Sequence, residues 1–197
     1  NGNGEIDSED HYWNANVQGV GEGWLPIGRY DNGAFGLPTP FSGKFNGNGY
    51  AIKNLTINRP DAEEVGLFGY IQYAQVENLA VVSASGSVIG SEGVGALVGI
   101  ANNSQIRNVA IFAKVKGDLF VGGLVGKIGE STHIENSFVS GSVSGHAHVG
   151  GLVGYLRKME GHAKNSISMS LSSSIISGDS RTGGLVGSAD YDDDTDI

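Results

Sequence analysis

The strongest constraint on this chain is a repeat. Five segments share one pattern: "VGLFG" at 65–69, "VGALVG" at 94–99, "VGGLVG" at 121–126, "VGGLVG" at 149–154 and "TGGLVG" at 182–187. Their leucines, Leu67, Leu97, Leu124, Leu152 and Leu185, are separated by 30, 27, 28 and 33 residues. Between them run "IKNLTI", "VENLAV", "IRNVAI", "IENSFV" and "AKNSIS", and then the looser "GSVIG", "AKVKG", "GSVSG" and "SIISG". Each unit is a set of short β-branched stretches cut by Gly and Ser, with no helical period. Such a unit cannot bury its own apolar face, and stacking unit on unit makes one continuous core. The expected fold is an all-β solenoid of about five coils.

Side-chain alternation sets the expectation within a coil. In a regular strand a leucine and the residue after it cannot both point inward. The repeated leucines are therefore expected inward, aligned from coil to coil. The asparagines Asn54, Asn78, Asn108, Asn136 and Asn165 are expected to form an internal ladder of stacked amides. Beside them, Lys53, Glu77, Arg107, Glu135 and Lys164 predict an exposed row of alternating sign, each ion pair worth little at a surface.

The quoted repeats, with the lead-in "GWLPIG" (23–28), "FSGKFNGNGYAIKNLTI" (41–57) and "VGLFG", resemble the GLUG motif family. The resemblance spans roughly residues 23–189. It implies a right-handed parallel β-helix in a secreted or surface-anchored bacterial protein, of the kind found in adhesin-like proteins and beside the catalytic part of some immunoglobulin A peptidases. Three regions follow: an acidic segment at 1–20, a cap and first coil at 21–64, and repeats at 65–197. In the cap, Trp24, Phe35 and Phe41 are expected to cover the first coil, since solenoid ends need covering. The unit around "YLRKMEGHAKNSISMSLSSS" is longer than the others.

Charge and composition exclude several classes. The net charge is −9, which opposes nucleic-acid binding. The acids concentrate at the ends: Glu5, Asp7, Glu9 and Asp10 at one, Asp190, Asp192, Asp193, Asp194 and Asp196 at the other. There is no cysteine, so disulfides, thiolate zinc sites and thiol catalysis are excluded. No apolar run is long enough for a membrane-spanning helix. The expected setting is the bacterial surface or exterior, as part of a larger protein.

The tetrapeptide "NGNG" occurs twice, at 1–4 and 46–49. The second copy reads as a turn leading into the first coil, because Asn-Gly tolerates positive φ. The first is followed by "EIDSED". With Gly4 as the sharp-turn glycine of a twelve-residue calcium loop, Asn1 and Asn3 fall on ligand positions three and five. The Glu5 carbonyl then falls on seven, Asp7 on nine and Asp10 on twelve. The pattern resembles the calcium loops of dockerin-like modules and predicts bound calcium at Asn1, Asn3, Glu5, Asp7 and Asp10. The alternative is a solvated acidic turn.

Catalytic motifs are weak. Neither H-E-x-x-H nor G-x-S-x-G is present. "HAH" at His146 and His148 predicts two imidazoles on one strand face in a polar turn, short of the ligands zinc needs. The expected role is a non-catalytic binding, adhesion or spacer module, partnered by a host or neighbouring-cell surface protein or glycan and by other domains of the same chain. The alternative is a glycan-binding or glycan-cleaving parallel β-helix, in which Tyr12, Trp13, Tyr30 and Phe35 would contact sugar.

Overall fold

A computed structural model describes residues 21–30, 37–157 and 164–190. Among these residues every regular element is a β-strand, and every strand pairing is parallel and links one coil to the next. Three faces wind around one core. The long face contains Gln75–Ile89, Gln105–Lys116, the pair His133–Glu135 and Phe138–Ser144, and the final trio Ser166–Ser168, Leu171–Ser172 and Ile175–Ser177. A four-stranded face stacks Glu92–Gly95, Leu119–Gly122, Ala147–Gly150 and Ser180–Gly183. A five-stranded face stacks Phe68–Gln72, Val98–Asn102, Val125–Ile128, Val153–Arg157 and Val186–Asp190. This is the expected β-solenoid. The "VENLAV" and "GSVIG" segments, however, join into one continuous strand of the long face.

Columns in register build the core. Val76, Ile106 and Ile134 align and are fully buried. So do Val94, Val121 and Val149. In the last described coil the first column continues to Ile167, whereas two others turn polar: Val81, Ile111 and Val139 continue to Ser172, and Val149 to Thr182.

The expectation that Leu and its successor cannot both face inward is wrong. Leu97 and Val98 are both fully buried, as are Leu124 with Val125 and Leu152 with Val153. The repeated motif is a corner, and strict alternation applies only within a strand. "VGGLVG" ends one strand at Gly122 and starts the next at Val125. At the corner two successive amides, of Leu124 and Val125, converge on the Leu152 carbonyl at 3.0 and 3.1 Å. Leu152 and Val153 do the same to Leu185. The inward leucines are found at Leu67, Leu97, Leu124 and Leu152, whereas Leu185 in the last coil is 36% exposed.

The glycine after each corner permits close packing of backbones. A Cβ on Gly126 would lie 2.4 Å from the backbone of Gly93 and Val94, and one on Gly154 2.4 Å from the Val121 nitrogen. No side chain fits there.

The N-terminal cap follows the expectation for Trp24 and Phe41; Phe35 lies outside the described residues. Trp24 packs on the core and its indole N–H donates to the Leu67 carbonyl at 3.0 Å. Phe41 stacks on Phe68 with ring centroids 5.0 Å apart. The second NGNG is a turn: Tyr50 N–H donates to the Gly47 carbonyl at 2.8 Å, with φ of 51° at Asn48 and 78° at Gly49. Two positive φ values mark the primed type. Lys44 pairs with Gln75 and Ala51 with Ala80, both parallel. The turn therefore loops out of a strand that keeps its direction, and does not reverse the chain.

Candidate functional site

The residues predicted to hold calcium, Asn1, Asn3, Glu5, Asp7 and Asp10, lie outside the described residues, as do Tyr12, Trp13 and Phe35. Among the described residues no group of three or more His, Asp or Glu side chains is placed to hold a metal ion.

The amide ladder exists with different members. Asn136 Nδ2 donates to Asn108 Oδ1 at 2.8 Å, Asn108 Nδ2 to Asn78 Oδ1 at 2.8 Å, and Asn78 Nδ2 to Asn46 Oδ1 at 3.2 Å. Asn78, Asn108 and Asn136 have φ of 56°, 52° and 46°. Asparagine adopts this left-handed region more readily than other non-glycine residues. One residue type thus satisfies both the backbone and the ladder. The ladder is not internal: Asn108 and Asn136 are exposed. It ends on the NGNG turn, where Asn46 Oδ1 also accepts from the Asn48 amide at 2.8 Å.

Two expected rungs are elsewhere. Asn54 falls outside the column, because Lys53 pairs with Val82, well past Asn78. Met169, with φ of 46°, takes the next left-handed position after Asn136. Asn165 belongs to a second column that the sequence reading missed. There the Ala74 amide donates to Ser104 Oγ (3.1 Å), the Ser104 amide to Thr132 Oγ1 (3.4 Å) and the Thr132 amide to Asn165 Oδ1 (2.8 Å). Ser104 and Thr132 are buried, and each hydroxyl donates to the carbonyl two residues back. These hydroxyls satisfy corner amides that would otherwise be buried without partners. The signal was available as Ser or Thr recurring at one offset before the "I.N" segments. The charged row likewise keeps Glu77, Arg107 and Glu135 in register, with Arg107 Nε 3.2 Å from Glu135 Oε2. Lys53 lies opposite Val82 on another part of the face, and Lys164 falls before Ser166, which pairs with His133.

The histidines of "HAH" do not share a face. His148 has φ of 56°, which breaks the alternation. His146 is exposed and its Nδ1 lies 2.7 Å from Asp179 Oδ2. His148 is buried among Phe120 and Tyr155, with ring centroids at 4.8 and 5.4 Å. Lys127 Nζ lies over the Phe120 ring at 5.1 Å, and the Tyr155 hydroxyl donates to Asp190 Oδ2 at 2.8 Å.

The geometry of this cluster fixes the state of His148. Arg181 Nη1 is 2.8 Å from His148 Nε2. A guanidinium only donates, so Nε2 carries the lone pair and the proton sits on Nδ1, which donates to Ser188 Oγ. Burial first, and the Arg181 charge second, push the imidazole below its usual value of 6.5. His148 therefore cannot take a proton from Ser188, and the pair is not a nucleophile with its base.

A cleft of about 510 Å³ at the cap is lined by residues including Leu25, Pro26, Arg29, Tyr30, Arg59 and Glu64. Two of its charged groups, Arg59 and Glu64, tie parts of the cap together. Arg59 Nη1 meets Glu22 Oε2 at 2.6 Å, and Glu64 Oε2 accepts from the Tyr30 amide at 2.8 Å. Tyr30 packs edge-on against Tyr70 at 5.1 Å. No described helix is long and apolar enough to cross a membrane.

The curated proteins that the sequence resembles are much longer than the stretch they share with it. No protein-family model matches the sequence, and no solved structure matches it. Halomucin of Haloquadratum walsbyi is 38% identical over 122 residues, covering 60% of this chain and 1% of its own length. A protein of Evansella cellulosilytica named as a Gly-rich membrane protein is 42% identical over 95 residues, covering 46% of this chain and 10% of its own length. The chain thus spans a small fraction of either relative.

Proposed function

We propose that the chain is a non-catalytic, extracellular spacer or adhesion module of GLUG type within a larger surface or secreted protein. The observation that carries this reading is the parallel coil-on-coil stacking of three faces around one core. Each coil advances the axis by about 4.8 Å, the spacing of hydrogen-bonded strands, and contacts its neighbours alone, so repetition makes a rod. The relatives' names support the setting: one is a halomucin and the other a membrane protein. Two observations favour a non-catalytic role. His148 is locked in the tautomer that cannot serve Ser188, and the aromatic Tyr30 is engaged in cap packing.

Digestion of intact cells with a protease tests the location. Release of peptides from this region before lysis supports the surface reading; release only after permeabilisation overturns it. Binding to a host or neighbouring-cell protein supports adhesion. Cleavage of a polysaccharide by the purified chain overturns the non-catalytic reading.

Calcium stabilisation through Asn1, Asn3, Glu5, Asp7 and Asp10 belongs to the same proposal and rests on the loop spacing. A ligand that binds only the folded state raises the melting midpoint. Adding a chelator is expected to lower that midpoint, and calcium to restore it. An unchanged midpoint overturns the site.

A further inference from the structure

We propose that Asn54 is an N-glycosylation acceptor. The inference rests on the surface reading above and adds a covalent site to it. Asn54-Leu55-Thr56 has the N-x-[ST] acceptor pattern, and so does Asn102-Asn103-Ser104. The pattern alone is common in a chain rich in Asn and Ser. The fold separates the two copies.

Asn54 is the asparagine left out of the amide ladder. It is exposed, with φ of 56°, and its side chain makes no hydrogen bond to any described residue. The backbone around it is held from several sides. The Asn54 amide donates to the Val82 carbonyl at 2.8 Å, Ser83 Oγ to the Leu55 carbonyl at 2.8 Å, and the Trp24 amide to the Thr56 carbonyl at 2.8 Å. Leu55 and Ile57 point into the core. The tripeptide is thus pinned with its one free amide facing water. A glycan on Nδ2 would extend into solvent and cost the fold no contact. The segments of similar text in the later coils, "VENLAV", "IRNVAI" and "IENSFV", lack Ser or Thr two residues after the asparagine. Their asparagines are the ladder members.

Asn102 is the opposite case. Its Oδ1 is buried, and its Nδ2 donates to the Tyr70 hydroxyl at 3.2 Å. A Cβ on Gly129 would sit 1.9 Å from Asn102 Oδ1, so the amide rests on bare backbone. Both sequon hydroxyls donate to the asparagine carbonyl, Thr56 Oγ1 to Asn54 at 3.4 Å and Ser104 Oγ to Asn102 at 2.6 Å, but Ser104 is also buried and accepts from the Ala74 amide. A sugar on Asn102 is incompatible with the folded coil.

The reaction class is transfer from a lipid-linked phospho- or pyrophospho-oligosaccharide. Asn54 Nδ2 forms a bond to the sugar's anomeric carbon. The carbon–oxygen bond to phosphate breaks, the lipid phosphate leaves with the electron pair, and one Nδ2 proton passes to a base of the transferase. No oxidant or reductant is needed.

The test uses the protein isolated from its source cells, with protease digestion of intact cells run on the same material. Peptide mapping with electron-transfer fragmentation is expected to place a mass of whole sugar units on Asn54 and none on Asn102. Thr56→Val, which leaves Asn54 in place, is expected to abolish the added mass; Thr56→Ser is expected to retain it. Peptides that are released from intact cells but are unmodified at Asn54 overturn this site and leave the surface reading standing. Release only after permeabilisation overturns both. Sugar on Asn102 in folded protein, or retention in Thr56→Val, overturns the structural argument.

Discussion

Asn108 allows the two roles of a ladder residue to be measured separately. It donates to Asn78 and accepts from Asn136, each at 2.8 Å, with φ of 52°. Each hydrogen bond contributes about 0.5–1.5 kcal/mol net. The exposure of Asn108 puts both at the low end, so the pair contributes about 1 kcal/mol. The left-handed backbone is a separate matter: a residue with an ordinary Cβ loses roughly 1–2 kcal/mol there, and glycine loses almost none. Asn108→Gly removes the ladder but keeps the backbone freedom. Its expected loss is about 1–2 kcal/mol, including glycine's extra entropy when unfolded. Asn108→Ala removes both, and its expected loss is about 2–3 kcal/mol. The ordering, Gly milder than Ala, is the reverse of that at an ordinary strand position. Urea unfolding followed by far-ultraviolet circular dichroism gives the two values. Amide exchange in the strands either side shows whether the loss is confined to neighbouring coils, as nearest-neighbour stacking requires. An alanine variant as stable as the glycine variant would refute the backbone argument. A glycine variant as stable as the parent would refute the contribution of the ladder.

Three further comparisons use the repeat as its own control. Leu124→Ala, at a fully buried site, is expected to lose about 2–5 kcal/mol, and Leu185→Ala, 36% exposed, clearly less; equal losses in urea unfolding would sink the assignment of inward columns. Gly151→Ala puts a Cβ 2.3 Å from the Gly184 carbonyl oxygen, while Gly184 has nothing within 4 Å. The first is expected to cost about 3 kcal/mol or prevent folding, the second to shift the melting midpoint little, and the reverse ranking would contradict the corner packing. His148 has a folded pKa below 6.5, so below that value the unfolded chain binds more protons and stability falls as pH drops. Between pH 7.5 and 5.5 the parent is expected to lose more stability than His148→Gln; identical slopes would show that the imidazole is not held neutral.

The sequence by itself determined the solenoid. A period close to 28 residues, with short β-branched stretches and no helical pattern, leaves stacking as the one way to bury its apolar faces, and the leucine column shows where coils superpose. It also located the second NGNG turn, because Asn-Gly at positive φ is local chemistry. The placement of side chains across coils was less legible. Asn54 and Asn165 match the repeat text as well as Asn108 does, but register assigns them to a solvent-facing tripeptide and to a buried hydroxyl column. His146 and His148 are two residues apart, yet one left-handed residue sends them to different surroundings. Leu124 and Val125 are adjacent and both buried, because the chain turns a corner between them. Sequence spacing predicts orientation only while a strand stays regular. At corners and loop-outs the direction of a side chain is set by the neighbouring coil, through hydrogen bonds to residues about 30 positions away.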